Sequence, residues 1–276
     1  MSTNNRESDH TPPILAEKHY AEPSVFDVAN LMREARRQKR LPVGDVPPIC
    51  VLDPDGDLVD YLRASGQALP HLAWACYHTT LDVFDLDGTT VGIIGRAVGA
   101  AFAVLIAEEL FVSGCHLLIS VTSAGQITPL GPTPYFVLIE QALRDEGTSY
   151  HYLPPGRYSH LAPSLREHLR AAWDADRAPC YSGSSWTTDA PFRETAAAIT
   201  AAHADGIAAV EMEAAALYAL ATAKGYPIVC FAHVTNTMAT AGDDFEKGPD
   251  QGSHAILAVI AEAIRCWNRS RDDPHP

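Results

Sequence analysis

The sequence predicts a single α/β domain, and three observations carry that expectation. Strand-like apolar runs alternate with helical segments from residue 49 almost to the C-terminus, the pattern of a layered sheet with helices packed on it. The 276 residues are 47% apolar, enough to bury one sizeable core. No internal repeat or low-complexity tract breaks the alternation.

Residues 1–13 predict a disordered polar tail, and the first ten lack the apolar core of a signal peptide. They belong to an N-terminal extension, residues 1–45, that precedes the main domain, residues 46–276. The extension holds one predicted helix, 27–40, whose Arg36, Arg37, Lys39 and Arg40 suit the negative end of a helix dipole. Residues 42–48, with three prolines, open the main domain. Segments 49–52, 73–77, 81–87 and 91–94 then predict strands, the last two joined by a turn at Asp87-Gly88. Residues 99–112 predict an apolar helix, 116–121 a buried strand and 135–139 another. Amphipathic 161–176 and 195–204 predict two helices. A strand at 208–210 enters a helix at 212–224, rich in alanine and leucine, the best helix formers. A strand at 228–234 and a helix at 253–268 close the chain.

Charge and cysteine usage narrow the function. Thirty-four acidic against 20 basic residues give a net charge of −14. That is the opposite of the basic footprint a nucleic-acid protein needs, and anionic membranes would repel it. The longest apolar run, 97–112, contains Glu108 and Glu109, so no membrane span is expected. The six cysteines are dispersed, mostly in apolar runs, which predicts reduced core thiols rather than disulfides or a zinc site. The expected setting is a soluble, reducing cytoplasm.

The most informative stretch is Val210-Glu211-Met212-Glu213-Ala214, where a strand runs through two carboxylates into a helix. First-turn acids suit a helix dipole. A carboxylate at a strand-to-helix junction also lies at the rim of an α/β sheet, where ligands bind. Four predicted loops carry further polar or small residues: 95–99, 122–126, 185–195 and 233–237. The first has neither the spacing nor the lysine of a phosphate-binding loop. Ser123 has no G-x-S-x-G elbow around it. His233 and His254 lack metal-ligand spacing, so no metal is expected.

Together, Val210-Glu211-Met212-Glu213-Ala214, Ser123-Ala124-Gly125 and Val234-Thr235-Asn236 resemble the nucleoside phosphorylase superfamily, on the branch with uridine phosphorylase, hexameric purine nucleoside phosphorylase and methylthioadenosine nucleosidase. The match runs from about Ile49 to the C-terminus. It implies a three-layer α/β/α domain around a central mixed sheet, and an enzyme that cleaves the N-glycosidic bond of a nucleoside without a cofactor. Met212 would pack on the sugar, with Glu211 beside it, and Glu213 would bind the 2′/3′ diol. A carboxylate accepts two charge-assisted hydrogen bonds from a cis-diol. Its charge also favours an oxocarbenium-like transition state. Asn236 matches the position facing the base, where an amide suits a 6-oxopurine or pyrimidine. In the 189–195 segment, Phe192 would stack on the base and Arg193 would donate to an exocyclic oxygen; the alternative is loop packing and a surface ion pair.

The departures bear on the co-substrate. Relatives that use phosphate hold it with arginines, and the corresponding stretches 53–58, 119–121 and 75–78 contain none. Either Arg96, with Ser120, Thr122 and Ser123 and the Gly125 loop, rebuilds an anion site, or water replaces phosphate with Asp57 as general base. Phosphorolysis is the first expectation, hydrolysis the alternative, and a non-catalytic nucleoside-binding protein a third. The resemblance also implies a homo-oligomer (dimer, trimer or hexamer).

Overall fold

A computed structural model of the chain describes residues 11–238 and 244–272. Most of the tail expected to be disordered, residues 1–10, lies outside them. The elements in chain order are α1 (Val28–Lys39), β1 (Ile49–Asp53), α2 (Asp57–Ala64), β2 (Leu69–Pro70), β3 (Asp82–Leu86), β4 (Thr89–Gly95), α3 (Ala100–Val112), β5 (Leu117–Gln126), β6 (Tyr135–Asp145), β7 (Tyr158–His160), α4 (Pro163–Ala172), β8 (Tyr181–Thr188), α5 (Ala196–Ala204), β9 (Ile207–Glu211), α6 (Ala214–Lys224), β10 (Ile228–Asn236) and α7 (Ser253–Asp272).

The ten strands form one mixed sheet in the order β10-β6-β8-β9-β5-β1-β4-β3-β2, with β7 on β6. Because β10 also pairs with β5, strands β5, β10, β6, β8 and β9 close into a ring. Strands β1, β4, β5 and β10 run parallel, so their C-terminal ends, where ligands bind in such sheets, gather on one edge. Two helical layers flank the sheet: α1 packs on α3 and α3 on α6, while α2 and α4 pack on α7. Met32 and Ala35 of α1 belong to the main core. Tyr218 is fully buried, and its hydroxyl donates to Ile139 O at 2.5 Å and accepts from Cys230 N at 3.0 Å, tying α6 to β6 and β10. Five of the six cysteines are buried and all six are free. No described helix is long and apolar enough to cross a membrane.

Four expectations about local structure need correction. Residues 73–77 are not a strand, although Ala75 and Cys76 are buried. Side chains of α1 satisfy the carbonyls that a ladder would have used: Lys39 Nζ donates to Cys76 O at 2.6 Å and Arg36 to Ala73 O at 3.3 Å. Residues 57–64, for which no element was expected, form α2; Leu58, Val59 and Leu62 are buried, and Asp57 and Asp60 stand in its first turn. Residues 122–126 continue β5, and 185–188 end a strand in which six of the eight residues are Ser, Thr or Gly, which hides its β character. The 161–176 helix is shorter, at Pro163–Ala172.

Candidate active site

The antiparallel pairing of β9 with β5 sets Val210 opposite Gly125. Continued past the last pair, this register carries Glu211 and Glu213 alongside Ala124 and Thr122. The two glutamates have different environments. Glu211 is 3% exposed and fully used by the protein. It accepts from Ser185 Oγ (2.9 Å), from Thr187 Oγ1, and from the N–H groups of Glu213 and Ala214, both at 2.7 Å. It thereby satisfies amides that the start of α6 leaves without partners. The substrate-binding part expected of it is therefore indirect: it shapes the turn that presents Glu213.

Glu213 is 1% exposed. One oxygen accepts from Gly99 N at 2.7 Å, while Oε2 is buried with no hydrogen-bond partner among the described residues. Burial first, then the charge of Glu211, pushes its carboxyl up to about 8, with the Gly99 N–H as the chief counterweight. A buried acceptor left without a donor costs on the order of 1–3 kcal/mol. A ligand hydroxyl would supply the missing donor. Thr122, also buried, favours the charged form through its hydroxyl. Met212, between the two glutamates, is half-buried.

Next to this carboxylate the β1–α2 turn folds over the β5 edge. Asp55 Oδ2 accepts from Ser123 N at 3.1 Å, and its charge is felt at Glu213. Lys247, after β10, sits 3.2 Å from the same Asp55 oxygen and 2.5 Å from Asp57 Oδ2. Asp53 lies behind them, buried, accepting from Val59 N at 2.9 Å; burial raises its carboxyl to about 6. His233, stacked on Phe136 at 4.5 Å, is held neutral, its pKa lowered to about 4 by burial and then by Lys247. Two carboxylates therefore share one ammonium at this corner, with Asp53 buried behind them. The hydroxyl of Ser120 is buried there with no hydrogen-bond partner.

The third wall is Asn236, 8% exposed at the end of β10. Its Oδ1 accepts from Met238 N at 2.9 Å, which turns the amide so that Nδ2 is the group left with only long contacts, 3.3 Å to Thr235 Oγ1 and 3.5 Å to Ala124 O. Gly125 permits the close approach here: a Cβ on it would lie 2.3 Å from Met238 Sδ and 3.3 Å from Asn236 Oδ1.

A ring of β-sheet ends thus holds a buried carboxylate with one oxygen unpartnered among the described residues, an amide donor and a charged corner. The family model described as phosphorylase superfamily matches residues 48–265. The chain belongs to the phosphorylase superfamily. Solved structures sharing the fold include a purine nucleoside phosphorylase from Toxoplasma gondii (TM-score 0.68, 16% identity, covering 83% of this chain and 94% of that one). A uridine phosphorylase from Vibrio fischeri matches with TM-score 0.66 and 19% identity over 80% of this chain and 92% of that one. An AMP nucleosidase from Bacteroides thetaiotaomicron matches with TM-score 0.64 and 19% identity over 88% and 100%. At these identities the likeness is one of fold.

This phosphorylase-superfamily chain is an enzyme of the nucleoside phosphorylase and nucleosidase group, and its three-layer α/β fold is as expected. The structure brings Glu213, Met212, Thr122, Ser123, Gly125 and Asn236 to one edge. It leaves three expected residues apart. Arg96 is exposed and paired with Asp60 at 2.6 Å, its guanidinium lying over Gly56, so it builds no anion site with Ser120 and Ser123. Phe192 is 99% exposed and stacks on no ring among the described residues, and Arg193 is exposed beside it. Asp57 is held by Lys247, whereas Asp55 is the aspartate that reaches Ser123. Sequence reasoning missed Lys247, an isolated lysine in no motif, which only the return of residues 244–247 along β10 brings to the corner (Glu246 N to Thr235 O, 3.0 Å).

Proposed function

We propose that the chain hydrolyses the N-glycosidic bond of a nucleoside, with water where related enzymes use phosphate. The observation that carries this reading is the Asp55 carboxylate on the Ser123 N–H. An acidic side chain of the protein takes the donor that an anionic co-substrate would need. A phosphate beside Asp53, Asp55 and Asp57 would face about 4 kcal/mol of repulsion per unit-charge pair at 4 Å in a partly buried setting, and Lys247 offsets only part of it.

In the step we propose, Asp55 takes a proton from water as the water oxygen bonds to C1′ of the sugar. The C1′–N bond breaks and its electron pair leaves with the base, which Asn236 Nδ2 stabilises by donating to a base oxygen or ring nitrogen. Glu213 holds the 2′/3′ diol and its charge favours the cationic sugar. An amide donor favours a base that leaves with charge on an acceptor, such as a 6-oxopurine or pyrimidine. The test is base release from inosine, guanosine, uridine and adenosine, each with and without phosphate. Release without phosphate is the expected result; release only with it would restore phosphorolysis. Phosphorolysis retains one supporting observation, Lys247, which would have to leave both aspartates to meet a phosphate.

Self-association is part of the same proposal. Helix α3 is apolar apart from Glu108 and Glu109, and Leu105 and Val112 on it leave 39% and 38% of their surfaces exposed, with Val98 just ahead of it at 50%. A helix of that kind is normally buried all round. Sedimentation of the parent chain should report an oligomer, and Leu105→Glu should shift it towards monomer; a monomeric parent would remove the reading. Buried free thiols fit the reducing, cytoplasmic setting expected from the sequence.

A further inference from the structure

The stretch ahead of α1 folds into successive turns, with Leu15 N donating to Pro12 O at 2.8 Å and Glu22 N to His19 O at 2.9 Å. Its side chains converge on one distant target, residues 147–151 between β6 and β7. Ile14 Cδ1 covers Gly147, lying 3.2 Å from where a Cβ on that glycine would stand. Lys18 Nζ is 3.1 Å from His151 Nδ1, and the Tyr20 hydroxyl donates to Tyr150 O at 3.2 Å. The target is itself tied to the end of β8. Gly147 N donates to Asp189 Oδ2 at 2.8 Å, and Trp186 Nε1 to Asp145 Oδ2 at 2.9 Å.

Asp189 opens the 189–195 loop, which leaves the sheet beside the Glu211 turn because Thr187 and Glu211 are paired across β8 and β9. The first half of the loop is held by bonds within itself, Ala190 N–H to Thr188 Oγ1 and Arg193 N to Ala190 O at 2.8 Å, and Phe192 stands in solvent. An open surface cleft of about 480 Å³ adjoins the contact, lined by Ile14, Arg144, Glu146, Tyr150 and Asp189 among others. Glu146 is buried, and its Oε1 has no hydrogen-bond partner. Ser149 is fully buried and ties the segment from within, its N–H donating to Glu146 Oε2 at 2.9 Å and its hydroxyl accepting from Arg144 Nε at 2.8 Å, while Ile14 covers Gly147 from outside.

We propose that residues 14–20 are a strap that positions the 189–195 loop, with Ile14, Lys18 and Tyr20 as positioning residues acting through Gly147 and Asp189. The consequence for catalysis rests on the nucleoside-cleaving function proposed above, because the loop starts beside the Glu211 turn that presents Glu213. A loop held in place before the ligand arrives does not pay its ordering entropy on binding. The strap should therefore act on KM rather than on kcat.

The experiment uses the full chain carrying Ile14→Asp, which sets a carboxylate against Glu146 and Asp189, and Ile14→Val as the conservative control. Hydrogen exchange of peptides spanning 186–195 should quicken by about tenfold in Ile14→Asp and stay parental in Ile14→Val. In the same pair, KM for the nucleoside should rise by about tenfold with kcat nearly unchanged, and Ile14→Val should restore it. Parental exchange in Ile14→Asp would overturn the strap whether or not the chain turns over nucleosides. Faster exchange with a parental KM would overturn its link to binding, and loss of base release in the parent itself would instead count against the function.

Discussion

Glu213→Gln is expected to lower kcat/KM for nucleoside cleavage by about 10²–10³-fold, comparable to the loss of one preorganised electrostatic contact in other enzymes. The substitution keeps the shape and the Gly99 contact while replacing the orphan oxygen or its charge, so packing should survive. Stability gives an independent readout. Because the folded-state pKa of Glu213 is raised, its ionisation opposes folding, and folding stability should fall as pH rises from the ordinary carboxylate range through about 8. The glutamine variant should lose that slope. In the parent, KM should fall as pH rises through the same window, since the charged carboxylate is the better acceptor for a diol. Near-parental turnover in Glu213→Gln would remove the sugar-binding assignment.

The second large effect is expected at Asp55. Asp55→Asn should reduce kcat by about 10²–10⁴-fold, the usual contribution of a positioned general base. Asp57→Asn should do much less, because Asp57 is engaged by Lys247 and not by the β5 edge. Steady-state rates of the two variants decide between them. The opposite order, with Asp57→Asn crippled and Asp55→Asn active, would return the base to Asp57 and require the β1–α2 turn to rearrange on binding.

Much of the site was legible because its residues sit in one short motif. Glu211, Met212 and Glu213 mark a strand-to-helix junction, and their placement at the sheet edge follows from that junction. What the motif could not distinguish is which glutamate the protein keeps for itself. That depends on Ser185 and Thr187, polar residues in a strand whose hydroxyls are buried against Glu211. Alternation made the parallel core strands plain, whereas β8 was hidden by its serines and threonines and α2 by its acidic first turn. The charged corner was the least legible part. Lys247 lies 190 residues or more from Asp55 and Asp57 in the chain, and nothing local to it indicates its partners. Likewise Arg96 looked available as an anion ligand until α2 supplied Asp60.

The central claim is that water takes the place of phosphate at the corner held by Asp55. Its most direct test is the identity of the sugar product when nucleoside is turned over in excess phosphate. Free reducing sugar alone, formed at a rate independent of phosphate concentration, is the predicted result. Sugar 1-phosphate, formed at a rate that rises with phosphate, would contradict it.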